Sequence, residues 1–410
     1  MPDFSIALTG LQANSTALNT IGNNLANLNT TAYKGQSTTF EDLFYQQVGS
    51  SNSNDPVQVG VGTKVSGTVS NFAAGSILPS TGQPTDMALS GAGFFVVQQG
   101  SVQSLTRAGN FQLDSFGNLT TIDGQNVMGF PAIAGQVGLS STLTPIALPV
   151  GETESALATQ NLAVTVNLDS AAATGTQFTS PVTVYDTLGQ SHVATVTYTK
   201  ASATSWSYGV TIPSGDATGT PTNNRGTLTF DSTGKLVTPA ANVAGVTFPG
   251  MADGASNMSF SLNLYNAAGA ATVGQSASAN NTAASSQDGY ASGTYQSFAV
   301  DANGVVSATF SNNHATNIGQ VAVASVANTN GLTRVGNNNY QTTEASGTST
   351  IGVAGVGGRA TIEDDALEQS NVDISTEFSN LIVAQRAFEA NSKTVTTFDT
   401  VTQDAISMIR

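Results

Sequence analysis

The chain's only long helical patterns lie at its two ends, and both repeat every seven residues. Near the start, Phe4, Leu11, Leu18 and Leu25 form one column, with Ala7, Asn14, Ile21 and Leu28 interleaved. Near the end, Ile374, Leu381, Phe388, Val395, Thr402 and Ile409 form another. A seven-residue apolar repeat makes a stripe along a helix that a partner helix must cover. The stripes predict helices over residues 4–28 and from 374 onward, pairing with each other or with neighbouring copies. Helices that merely cover their own core give the same pattern, but no large core adjoins either stripe in sequence. Asn14, Gln385, Ser392 and Asp399 interrupt the columns, and such interruptions set register at a cost in stability. Thr9-Gly10 is a local weakness, and Asn23, Asn24 and Asn27 cluster toward the first helix's end. Because asparagine amides compete for backbone groups, the cluster either marks that end or offers amides to a partner.

Between the ends the signal is β. One turn signature recurs: Asp114-Ser-Phe-Gly117, Asp186-Thr-Leu-Gly189, Asp231-Ser-Thr-Gly234 and Asp301-Ala-Asn-Gly304. Aspartate accepts a hydrogen bond at the first position of a type I turn, and glycine takes the left-handed conformation that closes the hairpin. Alternating apolar residues flank the turns, as in Val182 and Val184 before the second and Val193, Val196 and Tyr198 after it. The fold class expected is mainly β with terminal α-helices, in nested domains.

Composition shifts suggest the nesting. Pro145–Glu154 is punctuated by Pro and Gly, and Gln275–Asp288 is a Ser/Ala/Asn/Gln stretch. These breaks bracket an insertion, 145–287, inside a β-rich middle domain of 71–144 plus 288–358. Residues 29–70 with 359–365 form a connecting segment, its first part irregular in pattern, and 1–28 with 366–410 form the helical domain. Glu363, Asp364, Asp365 and Glu368 precede the last helix, where negative charge suits the helix N-terminus.

Charge narrows the function. Charged residues make up 9% of the chain, against roughly 25% in an average soluble protein. The net charge is −15, from 26 acidic and 11 basic residues. That sign is wrong for a phosphate backbone or an anionic membrane surface, so neither nucleic acid nor membrane is an expected partner. No stretch is apolar enough to span a bilayer, and the periodic, acidic start is unlike a secretory leader. The absence of Cys excludes disulfides and thiolate metal sites.

No catalytic constellation emerges. His192 and His314 are the only histidines, and no further ligands stand at metal-binding spacing, so both are expected to be solvated strand residues without metal. The acids of 363–373 lack the alternating ligands and central Gly of an EF-hand loop. Gly60-Val-Gly62-Thr-Lys64 lacks the spacing of a phosphate loop, and no Gly-x-Ser-x-Gly elbow is present. No cofactor and no enzymatic activity are expected.

The ends carry a resemblance. Leu8-Thr-Gly-Leu-Gln-Ala-Asn-Ser-Thr-Ala-Leu18, Ile21-Gly-Asn-Asn-Leu-Ala-Asn27 and Thr30-Thr-Ala-Tyr-Lys34 resemble the N-terminal signature of the bacterial flagellar rod, hook and hook-associated axial proteins. Leu367-Glu-Gln-Ser-Asn-Val-Asp373 and Leu381-Ile-Val-Ala-Gln-Arg-Ala-Phe-Glu-Ala-Asn391 resemble its C-terminal companion. Leu89–Val97 and Thr106–Phe111 look like segments shared by rod and hook members. Thr183–His192, Gln287–Tyr290, Gly319–Val323 and Asn328–Gly331 look like the hook branch, distal rod members generally lacking the large insert. Ala32 stands where the family commonly has Gly, so the turn Thr31–Lys34 is expected to differ.

The resemblance implies a hollow helical polymer outside the cell, with the terminal helices as its inner tube. Its self-assembly residues would be Phe4, Leu8, Leu11, Leu18, Ile21, Asn23, Asn24, Leu25, Asn27, Ile374, Phe378, Leu381, Phe388, Val395 and Ile409. Implied partners are copies of itself, the distal rod protein, the hook cap, the hook–filament junction proteins and the flagellar type III export apparatus, export needing no cleaved leader. A distal rod member is the alternative within the family. A secreted adhesin is the alternative outside it, suggested by the weakly charged β-surface.

Overall fold

The four Asp-x-x-Gly turns form as their chemistry requires. Asp114, Asp186, Asp231 and Asp301 each accept, through Oδ1, the backbone N–H groups two and four residues on. The closing glycines are left-handed, with φ of 81°, 84°, 80° and 81°. A fifth turn of the same build, Asn266–Gly269, escapes the sequence pattern because Asn replaces Asp.

The computed structural model describes residues 5–50, 56–138 and 140–408, so Phe4 and Ile409 lie outside it. The chain divides into two compact units, Met1–Leu148 with Phe298–Ala308 and Thr316–Arg410, and Pro149–Ser297 with Thr309–Ala315. The architecture is mainly β with a helix near each end.

In the second unit, two five-stranded sheets enclose one core. One runs through Gln177–Tyr185, Ser191–Ser202, Ser205–Thr211, Arg225–Phe230 and Leu236–Thr238. The other centres on Asn161–Asp169, which pairs with Met258–Asn263, Val273–Ser276 and Asn281–Gln287. Alternate residues of each strand fill the space between, led by the fully buried Trp206, Tyr198, Leu162 and Phe248. The polar stretch within 275–288 is therefore partly strand: its small residues pair along Asn161–Asp169 while contributing little to the core.

In the first unit, Phe94–Gln99 is buried on both faces. Phe95 and Val97 enter one apolar cluster with Leu89, Phe111 and Val323, while Phe94 and Val96 enter another with Leu105, Met128 and Tyr340. Double burial explains why this strand reads as a continuous apolar run. Residues 29–70, expected to be irregular, contain four strands: β1 (Gln36–Asp42), β2 (Tyr45–Ser50), β3 (Pro56–Gly60) and β4 (Thr63–Ser70). β1 pairs with β4 and β2 with β3. Each sheet has only two strands and buries little, which leaves a weak apolar signal in the sequence.

Helix α1 spans Ser5–Ala26 and helix α2 spans Ile374–Met408, and the two pack together. Gly10 does not break α1. A Cβ there would lie 3.0 Å from the Asn391 side chain, so the missing side chain gives α2 room to approach. Ala32 is fully buried with φ 54°, so the turn keeps the left-handed form that a glycine would take.

The acids before α2 do not form one helix-entry cluster. Thr361–Asp364 and Ala366–Glu368 are strands, and Asp365 binds the Gly82 and Gln83 N–H groups. Asp373 alone caps the helix, accepting from the Thr376 N–H at 2.7 Å. His192, expected to be solvated, is 6% exposed. His314 is partly exposed, stacks on Tyr290 with ring centroids 4.0 Å apart, and bonds Glu154 at 2.9 Å.

Candidate self-assembly site

Helix α1 turns a seam of small residues inward: Ala7, Gly10, Ala13, Ala17, Thr20, Ile21 and Asn24 are buried. The steps of three and four through Gly10, Ala13, Ala17, Thr20 and Asn24 keep the heptad spacing of the sequence, and of the residues in its two columns Ala7 and Ile21 lie in the seam. Leu11, Leu18 and Leu25 lie one position round from the seam and are half-buried, as is Asn27. Leu8 and Asn23 are exposed, whereas Ile21 and Asn24 lie inside. Small residues let helix backbones approach closely, and this approach displaces the leucines from the seam.

On α2, Ala384 is the sole buried residue among the 35 of the helix. Ile374, Phe378 and Phe388 are 46%, 49% and 37% exposed, while Leu381 and Val395 are half-buried. Ile382, Val383, Val401 and Ile406, missed by the heptad column, also face outward. Beside the seam, Asn14, Ala17, Ile21, Phe40, Val383 and Ala384 help to line a cavity of about 310 Å³.

The helices spring from a dense polar root. Asn24 donates to the Gln36 carbonyl at 2.7 Å and to Glu377 at 2.9 Å, and its oxygen accepts from the Gln36 N–H at 2.9 Å and the Tyr33 hydroxyl at 3.3 Å. Asn371 accepts from the Gly35 N–H at 2.8 Å and donates to the Asn71 and Ala73 carbonyls. These amides knit the chain leaving α1 to the chain entering α2. Arg334 lies over the Tyr33 ring, 5.4 Å from its centroid, and binds the Lys34 carbonyl.

Beneath them Glu368, fully buried, pairs with Lys34 at 2.6 Å and Arg107 at 2.8 Å. The remaining Arg107 donors reach the Leu89, Gly91 and Gly93 carbonyls, and Lys34 also binds the Ala73 carbonyl. Burial pushes the Glu368 pKa up, but Arg107 and Lys34 outweigh it and hold the carboxyl below its ordinary range. Burial lowers the Lys34 pKa, against the opposing pull of Glu368. Breaking one arm of such a buried cluster leaves a charge unpaired and costs about 3–5 kcal/mol. In the sequence Lys34 and Asn371 stand only within the terminal signatures, and Glu368 reads as a helix-entry acid, not as a buried ion-pair partner. Arg107, 261 residues from Glu368, carried no local signal of its partner.

Comparison with known proteins agrees with this anatomy. The model of the flagella basal body rod protein matches residues 4–34, and that of the flagellar basal body rod FlgEFG protein C-terminal region matches 363–408. The flagellar hook protein FlgE/F/G D1 domain matches 88–169, and the flagellar basal body protein FlaE D2 domain matches 157–290. Flagellar hook protein FlgE of Salmonella typhimurium is 33% identical over 99% of both chains, and that of Treponema pallidum 31% over 98% of both. Flagellar basal-body rod protein FlgG of Bacillus subtilis is 24% identical over 98% of this chain, so not every rod protein lacks the insert. The structure of Helicobacter pylori flagellar hook protein FlgE2 covers 71% of this chain with a TM-score of 0.54 and 16% identity, a likeness of fold. No helix among the described residues is long and apolar enough to cross a membrane. The chain belongs to the flagellar hook protein family and is a structural subunit of the bacterial flagellar hook.

Proposed function

We propose that the chain polymerises through the outward faces of α1 and α2, which line the inner tube of a hollow, curved helical polymer. The observation that carries this reading is α2 itself, a 35-residue helix with only Ala384 buried and Phe378, Ile382, Val383, Ile406 and Met408 exposed. Most helical stability comes from packing an apolar face, and one neighbour covers little of this one. Phe4, Leu8, Leu11, Leu18, Leu25, Ile374, Phe378, Leu381, Phe388, Val395 and Ile409 supply the apolar contacts between copies. Asn23 and Asn27 supply polar ones, while Ile21 and Asn24 hold α1 to its own α2 and root.

The domains are a helical one of 1–28 with 366–410, a connecting segment of 29–70 with 359–365, a β-rich middle domain of 71–144 with 288–358, and an inserted β-domain of 145–287. The inner helices carry torque. The outer β-surfaces, poor in charge, slide as protofilaments shorten and lengthen, because few ion pairs must break when contacts re-register. This makes the polymer a universal joint and the chain a structural subunit without catalysis. Its partners are further copies, then the distal rod protein, the cap, the junction proteins and the export apparatus.

Electron microscopy under polymerising conditions tests the reading. The full chain is expected to give curved tubes of uniform diameter, and a chain lacking 374–410 soluble β-folded monomers. Normal tubes from the shortened chain would refute it, and short straight segments from the full chain would point to a rod-type subunit.

A further inference from the structure

The second unit holds a titratable cluster that the proposed contacts between terminal helices do not involve. Three carboxylates from three loops surround one buried ring: Asp186 at the turn before Ser191–Ser202, Asp216 after Ser205–Thr211, and Asp253 after Val243–Phe248. His192 Nδ1 lies 2.7 Å from Asp216 Oδ2, while Nε2 lies 3.0 Å from Asp186 Oδ2 and 3.9 Å from Asp253 Oδ2. The ligand atoms of Asp186, His192 and Asp253 lie within 4.8 Å of one another.

The carboxylates are aimed from behind. Asp186 spends Oδ1 on the Leu188 and Gln190 N–H groups, and Asp253 spends Oδ1 on the Ala255 N–H. Each therefore turns Oδ2 toward the same ring nitrogen. Asp216 on the far nitrogen fixes the ring as a carboxylate fixes a metal-bound histidine from behind. A single proton on Nε2 points along one direction, toward Asp186 at 3.0 Å, and leaves Asp253 at 3.9 Å outside hydrogen-bond range. Charge argues the same way. Among the described residues no Lys or Arg forms an ion pair with these carboxylates, so a protonated ring leaves an excess of negative charge that a divalent cation reduces.

We infer that Asp186, His192 and Asp253 bind a divalent metal of the zinc class, with Asp216 as the residue that positions the ring. Tetrahedral ligands at 2.0–2.2 Å from zinc are about 3.4 Å apart, and the observed 3.0 and 3.9 Å bracket that spacing. A ring nitrogen among the donors selects zinc over calcium or magnesium, which take oxygen ligands. Water fills the remaining coordination beside the exposed Asp253. The ligands come from a strand and its turn in one sheet and a loop of the other, so the site exists only in the folded sandwich, and the metal ties the two sheets together at one end.

The test is calorimetric titration of the chelator-treated full chain with ZnCl₂ at neutral pH, with Co²⁺ absorption reporting the geometry. One Zn²⁺ per chain is expected, with saturable binding lost in His192→Gln. Asp216→Asn, whose ligands remain, is expected to weaken binding about 10–100-fold. Asp253→Asn is expected to weaken it at least about tenfold, and its exposed site keeps the fold intact for measurement should His192→Gln unfold. No saturable Zn²⁺ binding would mean that the cluster holds a proton only and would overturn the inference. So would unchanged affinity in Asp253→Asn, or Ca²⁺ bound as tightly as Zn²⁺.

Discussion

Strand Ser191–Ser202 sends alternate residues into a core built around Trp206 and Tyr198, whereas α2, with almost three times as many residues, buries Ala384 alone. The sandwich is complete by itself: its two sheets cover each other. The paired helices are not, because small residues on α1 bring α2 close while the larger apolar side chains of both remain on the outside. The contrast teaches where interactions between copies belong. A self-covered unit gains little from more contacts, and an uncovered helix gains most.

The largest expected way to sharpen this contrast is at the helix root. Glu368→Ala leaves Lys34 and Arg107 buried without their carboxylate and is expected to cost the first unit about 3–5 kcal/mol. Trp206, the chain's one tryptophan, lies in the sandwich core. Its fluorescence transition should therefore stay in place while the helical circular-dichroism transition moves down; a joint shift would break the comparison. Acid should act on the same cluster. The Glu368 pKa is depressed in the fold, so its contribution is complete above the carboxyl's unfolded value of 4.5 and is lost as pH falls through the lower folded value. In a pH series, the helical transition is expected to fall below pH 4.5 further in the native chain than in Glu368→Gln.

At the seam, Gly10→Leu forces a side chain against Asn391 and is expected to cost about 1–3 kcal/mol of helix pairing, read in the same helical transition. Gain or neutrality there would show that the close approach is unimportant. The smallest effect belongs to Ala32→Gly. Relief of left-handed strain, about 1 kcal/mol, is nearly offset by loss of a buried methyl, about 0.8 kcal/mol. A shift in the melting temperature of more than a few degrees would contradict that balance.

Much of this was legible in the sequence, for identifiable reasons. The turns at Asp114, Asp186, Asp231 and Asp301 carry their whole chemistry in five consecutive residues, and the helices announce themselves by period. Most of the seam is not legible from apolar size, because Gly10, Ala13 and Ala17 pack by being small. β1–β4 were missed because two-stranded pairs bury too little to leave a pattern. Arg107–Glu368 and His192–Asp253 were missed because their partners meet only after the chain folds. Of the residues expected to mediate assembly, Ile21 and Asn24 turned inward, and the rest of the described set is exposed or half-buried.

The central claim is tested most directly by Phe378→Asp with Ile382→Asp in the full chain. Both side chains are about half exposed in the single subunit, at 49% and 57%, so its two melting transitions should be unchanged. Sedimentation velocity under polymerising conditions is then expected to show monomers where the native chain forms polymers. Polymers forming as readily as in the native chain would contradict assembly through the outward faces of the terminal helices.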